Sequence, residues 1–342
     1  MPSIQDVAAR AGVSAASVTR VLNGHPNVSD SMRSRVLKVV EELRYRPDLI
    51  AAALRRGRTK TVGIIISDIM NPIHSEIIDR LEHELSVDGY SVILANSHGA
   101  ADRDAENVRL LSQRRIDALI VMCADERSTE LQNEVSGLRI PVLLFDRQLP
   151  GCERVSSILG DHREGTRQLV GDLLDSGHRQ IALLLGSRAA TFPVRERLAG
   201  FELAHSERGL EMHENLIMIP SATPESGEEA VAAMARESTF PTAIVVGTNT
   251  CLTGVLREMH KRSIRIGQDV AIACLSDLEM LEIHQPQITT LARKFDVMAH
   301  RGAALLSDLV ETNNASPRMV TIPLEVLERE STRMRVPVQT AF

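Results

Sequence analysis

The sequence predicts an α/β protein in which a small helical N-terminal domain precedes two doubly wound parallel-sheet lobes. Two observations predict this fold class. The first 47 residues carry apolar side chains at helical spacing, in three short segments separated by turns. From Thr61 the period changes, and continuous apolar runs of strand length alternate with helical segments to about residue 275. The alternation occurs twice, so we expect one sheet in each lobe.

The N-terminal domain begins with two short predicted helices joined by a tight turn. Ser3 followed by Asp6 resembles a capping box, and Gly12 supplies the positive φ that the turn requires. Ser14 then caps the second helix. Two helices in this arrangement are typical of a helix-turn-helix, whose second helix enters the DNA major groove.

The second helix and its end carry the candidate DNA contacts. Arg20 suits a bidentate pair with guanine, whereas Ala15 and Ala16 can offer only apolar contact with a thymine methyl. The candidates on this segment are Ser14, Ala15, Ala16, Ser17, Thr19, Arg20 and Asn23. The alternative is a surface helical hairpin with no role in DNA binding.

A third helix and a short alanine-rich segment complete this region. Ser29 caps the third helix, which Pro47 ends. Asp48 can cap a fourth helix of about two turns, which is marginal alone in water, so we expect it to order only with a partner.

The distribution of charge supports a nucleic-acid partner. Residues 1–60 contain 11 basic and 5 acidic residues, whereas the rest of the chain contains 28 basic and 40 acidic residues. A basic head on an acidic body fits a DNA-binding domain attached to a body that DNA repels.

The chain resembles the LacI/GalR family of transcriptional regulators over about its first 330 residues. The resemblance rests on residues 4–8, 12–14, 17–23 and 45–47, followed by Leu54. It implies a hinge helix that folds on DNA and two lobes of periplasmic-binding-protein type. Leu54 would wedge into the minor groove, with Arg55 as a neighbouring contact. Ala52 departs from the arginine that the family often has there.

The resemblance also implies the domain boundaries. Residues 1–47 form the helix-turn-helix domain and residues 48–60 the hinge helix and linker. The effector-binding N-lobe takes residues 61–160 and 292–320, and the C-lobe takes residues 161–291 and 321–332. The tail, residues 333–342, has no heptads, which favours a homodimer over a tetramer.

The cleft between the lobes is the expected effector site, because ligands of doubly wound sheets bind at the carboxyl ends of the strands. Ser276 stands where relatives carry a ligand-holding carboxylate, while Arg195 matches the arginine that clamps the ligand. This exchange favours an anionic effector such as a sugar acid, with a neutral sugar as the alternative. The candidate effector contacts are Ile73, His74, Arg147, Asp161, Arg195, Thr248, Ser276 and Phe295.

Three of these assignments have a structural alternative. Asp161 can instead cap the helix that follows it, and Arg195 can be a surface arginine paired with an acid. His74 can be a partly exposed loop histidine. We expect Glu196 and Arg197 to lie on a solvated helix face and not to contact the ligand.

Several sequence motifs are absent, and their absence argues against an enzyme, a metal-binding protein and a membrane protein. No phosphate-binding glycine loop, dinucleotide fingerprint or nucleophile elbow occurs, so we expect neither an enzyme nor a cofactor. The four cysteines form no CxxC pair, which argues against a metal site. No signal segment or long apolar run occurs, so we expect a cytoplasmic protein that does not span or bind a membrane.

The sequence therefore predicts an effector-controlled repressor of a sugar or sugar-acid operon. It would bind a pseudo-palindromic double-stranded operator as a homodimer. The alternatives are a free-standing sugar-binding protein or a doubly wound enzyme.

Overall fold

The computed structural model describes residues 2–22, 24–45, 58–186, 191–237, 240–312 and 316–333. Residues 1–59 and 60–342 form two separate compact units. Within the described residues, no helix is both long and apolar enough to cross a membrane.

The N-terminal unit contains three helices, α1 (Ile4–Ala11), α2 (Ala15–Leu22) and α3 (Asp30–Glu42). Ser3 and Asp6 form a complete capping box at the start of α1, and Gly12 ends it at φ +64°. The hydroxyl of Ser14 accepts the backbone N–H of Ser17 and so caps α2. A small aliphatic core closes the unit through Val7, Ala8, Ala11, Val18, Val21, Val36 and Val39.

The second unit contains two six-stranded sheets with helices packed against them. The strands are β1 (Thr61–Ile66), β2 (Ser91–Asn96), β3 (Ala118–Met122), β4 (Val142–Phe145), β5 (Val155–Gly160), β6 (Ile181–Leu184), β7 (Ile217–Met218), β8 (Ala243–Val246), β9 (Ala271–Cys274), β10 (Thr289–Ala292), β11 (Met319–Ile322) and β12 (Glu325–Leu327). The helices are α4 (Pro72–Val87), α5 (Ala101–Gln113), α6 (Thr129–Ser136), α7 (His162–Asp175), α8 (Phe192–Ser206), α9 (Pro224–Met234), α10 (Asn249–Lys261), α11 (Glu279–Ile283) and α12 (Phe295–Thr312).

Each sheet defines one lobe, and the chain passes between them three times. The first sheet has the order β11-β5-β4-β3-β1-β2, and all its pairs are parallel. The second has the order β12-β10-β9-β8-β6-β7, in which only β12 is antiparallel to its neighbour. The predicted fold class is confirmed, with a helix-turn-helix domain and two parallel-sheet lobes.

The crossings fall after β5, β10 and β11. Strand β10 pairs within the second sheet, and β11 pairs with β5 of the first sheet through Ile322. The last crossing therefore lies two residues later than the sequence-based boundary at residue 320. Helix α12 packs its Met298, Ala299 and Leu306 into the core of the first lobe.

Candidate functional site

Two of the candidate base contacts on α2, Ala16 and Arg20, lie on the side away from the core of the N-terminal unit, whereas Ala15 packs against that core. Ala16 and Arg20 are exposed, whereas Val18 and Val21 are buried. Ala15, Ser17 and Thr19 are half-buried, and Ser14 is exposed. The hydroxyl of Thr19 donates to the Ala15 carbonyl at 3.0 Å. Three other predicted contacts, Asn23, Leu54 and Arg55, lie outside the described residues.

A cavity of about 950 Å³ lies between the two lobes. It is lined by residues that follow the carboxyl ends of strands in both sheets, as in other doubly wound folds. The lining from the first lobe includes Ser67, Asp68, Ala124, Asp146 and Arg147, and that from the second includes Gly186, Gly247, Thr248 and Ser276.

Six of the eight candidate effector residues line this cavity. They are Ile73, His74, Arg147, Thr248, Ser276 and Phe295. The other two, Asp161 and Arg195, are not among its lining residues.

Asp161 has a local structural role. Its Oδ1 accepts the backbone N–H of Glu164 at 3.1 Å, which caps the N-terminus of α7. Asp161 thus forms the helix cap that the sequence offered as its alternative role, and it is not among the residues that line the cavity.

Arg195 is two residues away from the arginine that does line the cavity. Two residues along an α-helix turn the side chain by about 200°, so the two arginines of α8 leave opposite sides. Arg197 lines the cavity, whereas Arg195 pairs with Glu126 at 2.8 Å. The sequence placed Arg197 on a solvated helix face, whereas the structure buries it at the cavity, because spacing alone did not show which side of α8 faces the cleft.

Arg197 is a buried cation without a carboxylate partner among the described residues. Its Nη1 donates to the Gly247 carbonyl at 2.7 Å and its Nη2 to the Leu275 carbonyl at 2.9 Å. Its Nε is buried without a hydrogen-bond partner. Burial, with a smaller contribution from Arg293, lowers the pKa of Arg197 to about 9. An anion in the cleft would offset the free-energy cost of burying the charged guanidinium of Arg197.

Asp146 lies at the centre of a buried charged cluster where the chain crosses between lobes. Its carboxylate accepts the Gly160 N–H at 2.7 Å and lies 3.0 Å from Arg293 Nε and 3.1 Å from His162 Nε2. Burial would raise the pKa of Asp146, but the nearby Arg293 and the Gly160 N–H favour the carboxylate, and the pKa lies well below its usual range. Arg293 is therefore the counter-ion of Asp146.

Sequence reasoning missed Arg293 as a residue of the cleft. It lines the cavity, and its Nη1 lies 3.5 Å from the Ser276 hydroxyl. The signal was available, because Arg293 directly follows β10 and polar residues at the carboxyl end of a buried strand point to the site.

His74 is buried and neutral at neutral pH. Its Nδ1 lies 2.7 Å from the Asp68 carbonyl, which can only accept, so Nδ1 carries the proton. Burial, followed by the nearby Arg147, lowers the pKa of His74 to about 4. Nε2 is therefore an acceptor, which suits a ligand hydroxyl rather than an anion.

Two buried histidines should make the free energy of unfolding fall as the pH is lowered. Burial also lowers the pKa of His162 to about 4. The histidine pKa in the unfolded chain is about 6.5. Below that pH, each histidine binds a proton in the unfolded chain but not in the native protein. Each of the two histidines should lower the free energy of unfolding by about 2 kcal/mol when the pH falls from 7 to 5. Urea denaturation should show this slope, and the double variant His74→Gln/His162→Gln should lose most of it. An equal slope in both proteins would contradict the assignment.

No group of three or more His, Cys, Asp or Glu side chains in the described part of the chain could hold a metal. The four cysteines, which are all described, are free and buried. Burial raises the pKa of Cys123, Cys251 and Cys274 above the ordinary value, so these thiols are protonated.

Comparison with known proteins identifies the family. The model of the bacterial regulatory proteins of the lacI family matches residues 3–48. That of the periplasmic binding protein-like domain matches residues 170–332. The chain belongs to the LacI family. Catabolite control protein A of Priestia megaterium is 29% identical over 331 residues, covering 97% of this chain and 99% of that protein. The repressor PurR of Vibrio parahaemolyticus is 27% identical over 335 residues, covering 97% and 99%.

Two solved structures of related regulators share the fold over 97% of this chain. The lac repressor dimer bound to operator and an anti-inducer has a TM-score of 0.84 at 25% identity, covering 97% of this chain and 99% of that one. The regulator CelR in complex with cellobiose has a TM-score of 0.72 at 26% identity, covering 97% and 100%. This LacI-family member is thus a DNA-binding transcriptional regulator and not an enzyme.

Proposed function

We propose that the protein represses genes for the breakdown of a sugar acid and that this acid binds in the cleft to control DNA binding. The observation that carries the choice of effector is Arg197, a buried guanidinium that no described carboxylate neutralises. Guanidinium and carboxylate suit each other in bidentate geometry, so a ligand carboxylate is the partner that this site lacks.

The charges around the cavity support an acid over a neutral sugar. Three arginines and three aspartates line it: Arg147, Arg197, Arg293, Asp68, Asp125 and Asp146. Asp68 accepts the Met70 N–H and Asp125 accepts the Arg127 N–H. Asp146 accepts the Gly160 N–H and pairs with Arg293. Arg147 and Arg197 donate to backbone carbonyls only. The six charges sum to zero, but Asp68 and Asp125 are half-buried whereas Arg197 is buried. Among the described residues, the buried charge without a counter-ion is therefore positive.

The remaining lining suits the hydroxyls of a sugar chain. Ser276 and Thr248 offer hydroxyls at the carboxyl ends of β9 and β8, and neutral His74 offers an acceptor. A gluconate or ketogluconate combines one carboxylate with several hydroxyls, which matches both halves of the lining. The relative in complex with cellobiose makes a neutral sugar the second candidate.

We propose that the regulator binds DNA as a homodimer. Strand β2 lies at an edge of the first sheet and exposes Ile93 and Leu94, each at 38%. Met280 and Ile283 are exposed on α11 of the second lobe. Apolar side chains on an open sheet edge and a short helix favour burial against a second copy.

Calorimetric titration of the full chain tests the effector class. We expect gluconate or a ketogluconate to bind, and glucose and galactose to bind much more weakly. If a neutral sugar bound more tightly than every acid tested, the neutral-sugar candidate would replace the proposed one.

The DNA contacts are tested by Arg20→Ala. Loss of a bidentate pair with guanine should remove about 1–3 kcal/mol of discrimination at one base pair of each half-site. Fluorescence anisotropy with the operator and its single-base variants measures this. Arg10→Ala is the matched control, since Arg10 is exposed on α1 and pairs with Glu42 at 3.5 Å. If the Arg20 variant kept the wild-type base preference, α2 would not be the helix that reads bases.

A further inference from the structure

Glu126 is a buried carboxylate of the first lobe whose two oxygens both accept from the second lobe. It follows β3, and its side chain is 0% exposed. Oε1 accepts the Phe192 backbone N–H at 2.7 Å, and Oε2 accepts from Arg195 Nη1 at 2.8 Å. Glu126 does not line the effector cavity. Its contacts therefore join the lobes and leave the ligand space free.

The Phe192 N–H belongs to the first turn of α8, which receives no side-chain cap from its own N-cap residue. The N-cap residue Thr191 makes no side-chain hydrogen bond to the helix. The first backbone N–H groups of a helix need acceptors, and a carboxylate there also opposes the positive end of the helix dipole. Glu126 thus caps α8 from the opposite lobe.

Arg195 adds a second tie between the same elements. Besides Glu126, its guanidinium reaches Gln148 Oε1 through Nη2 at 3.3 Å, and Gln148 follows β4 of the first lobe. Two residues further along α8, Arg197 enters the cleft. The helix that presents the effector-binding arginine is therefore held to the first lobe at its N-terminus.

We propose that Glu126 and Arg195 form an inter-lobe latch that stabilises the closed cleft and fixes α8, and with it Arg197, over the effector. Glu126 is a positioning residue, since it acts through α8 and not on the ligand. Opening the lobes would break the Glu126 contacts to Phe192 and Arg195 together and leave the end of α8 uncapped. The latch therefore biases the equilibrium between open and closed lobes that an effector shifts. This inference rests on the proposed function, because it assigns a means of regulation to the same cleft.

Hydrogen exchange of the effector-free protein tests the latch directly. Glu126→Gln and Arg195→Gln should each speed exchange at residues 192–197 about tenfold, because the amide of Phe192 loses its acceptor when the lobes open. Exchange in α10, which belongs to the second lobe alone, should not change. The matched control is Glu130→Gln, which removes a partly exposed pair with Arg109 inside the first lobe.

Gluconate affinity separates a latch from a purely local cap. A local cap would lower thermal stability without changing affinity, whereas a latch should weaken gluconate binding about tenfold in either single variant. The loss of affinity in the double variant should be smaller than the sum of the two single losses, because the single variants share the loss of the Glu126–Arg195 contact. Unchanged exchange at residues 192–197 in both variants, or unchanged affinity in both, would overturn the latch. If gluconate fails to bind the wild type, the effector proposal fails, while the exchange measurement still decides the latch.

Discussion

Replacing Arg197 by glutamine should abolish the response to sugar acids. The guanidinium is the one buried cation of the described cleft residues that lacks a carboxylate, and truncating a buried charge pair typically costs about 2–5 kcal/mol. Gluconate affinity should therefore fall by roughly 30-fold to several thousand-fold. Glutamine retains an amide donor for the Gly247 or Leu275 carbonyl, so the fold should survive. Calorimetry gives the affinity and thermal unfolding the stability.

Arg257→Gln is the control for this change. Arg257 lies on α10 of the same lobe, is mostly exposed, and approaches Glu228 at 3.6 Å on the surface. Its loss should leave gluconate binding at the wild-type value. Gluconate binding that is indifferent to Arg197 would dispose of the carboxylate site.

Gly254→Ala should destabilise the second lobe by about 3 kcal/mol or more, at the upper end of what overpacking costs. A Cβ on Gly254 would lie 1.7 Å from the Pro224 carbonyl oxygen, and one on Gly227 2.1 Å from that of Cys251. Both obstacles are backbone atoms, so α9 and α10 would have to separate. Helix propensity alone predicts the opposite sign, a gain of up to about 1 kcal/mol. The free energy of unfolding measured by urea denaturation decides between the expected loss and the expected gain of stability.

Gly137→Ala is the matched glycine substitution. Gly137 ends α6 at φ −75°, and a Cβ there would meet its nearest atoms at 3.5 Å, an ordinary contact. Its change in unfolding free energy should stay within about 0.5 kcal/mol. A stabilising Gly254→Ala would show that α9 and α10 do not pack as closely as described.

The elements of this fold could be predicted because each carries a local signal. The capping box of Ser3 and Asp6, the positive φ of Gly12 and the buried run of β1 are properties of a few adjacent residues. Periodicity then separates the helical domain from the two sheets. The crossing after β11 was less accessible, since the pairing of Ile322 with β5 joins residues more than 160 positions apart.

The side chains of the cleft were predictable only in part. Ser276 and Thr248 each lie two residues after a strand, and strand ends converge at the cleft whatever the details of packing. Arg195 and Arg197 share one helix, and only the side from which α8 packs decides which of them faces the cleft. Glu126 carries no local signal at all, because its partners Phe192 and Arg195 lie more than 60 residues away.

The measurement that tests the central claim most directly is selection of DNA from a random pool by the full chain, repeated with gluconate. We expect enrichment of two inverted half-sites flanking a flexible central step such as CG or CA/TG, at a stoichiometry of two chains per duplex. Gluconate should change the operator affinity of the wild type and not of Arg197→Gln, and the separate unit of residues 60–342 should enrich no sequence. An operator affinity that no sugar acid or parent sugar alters, or enrichment that survives removal of residues 1–59, would contradict an effector-controlled regulator that reads DNA through its N-terminal domain.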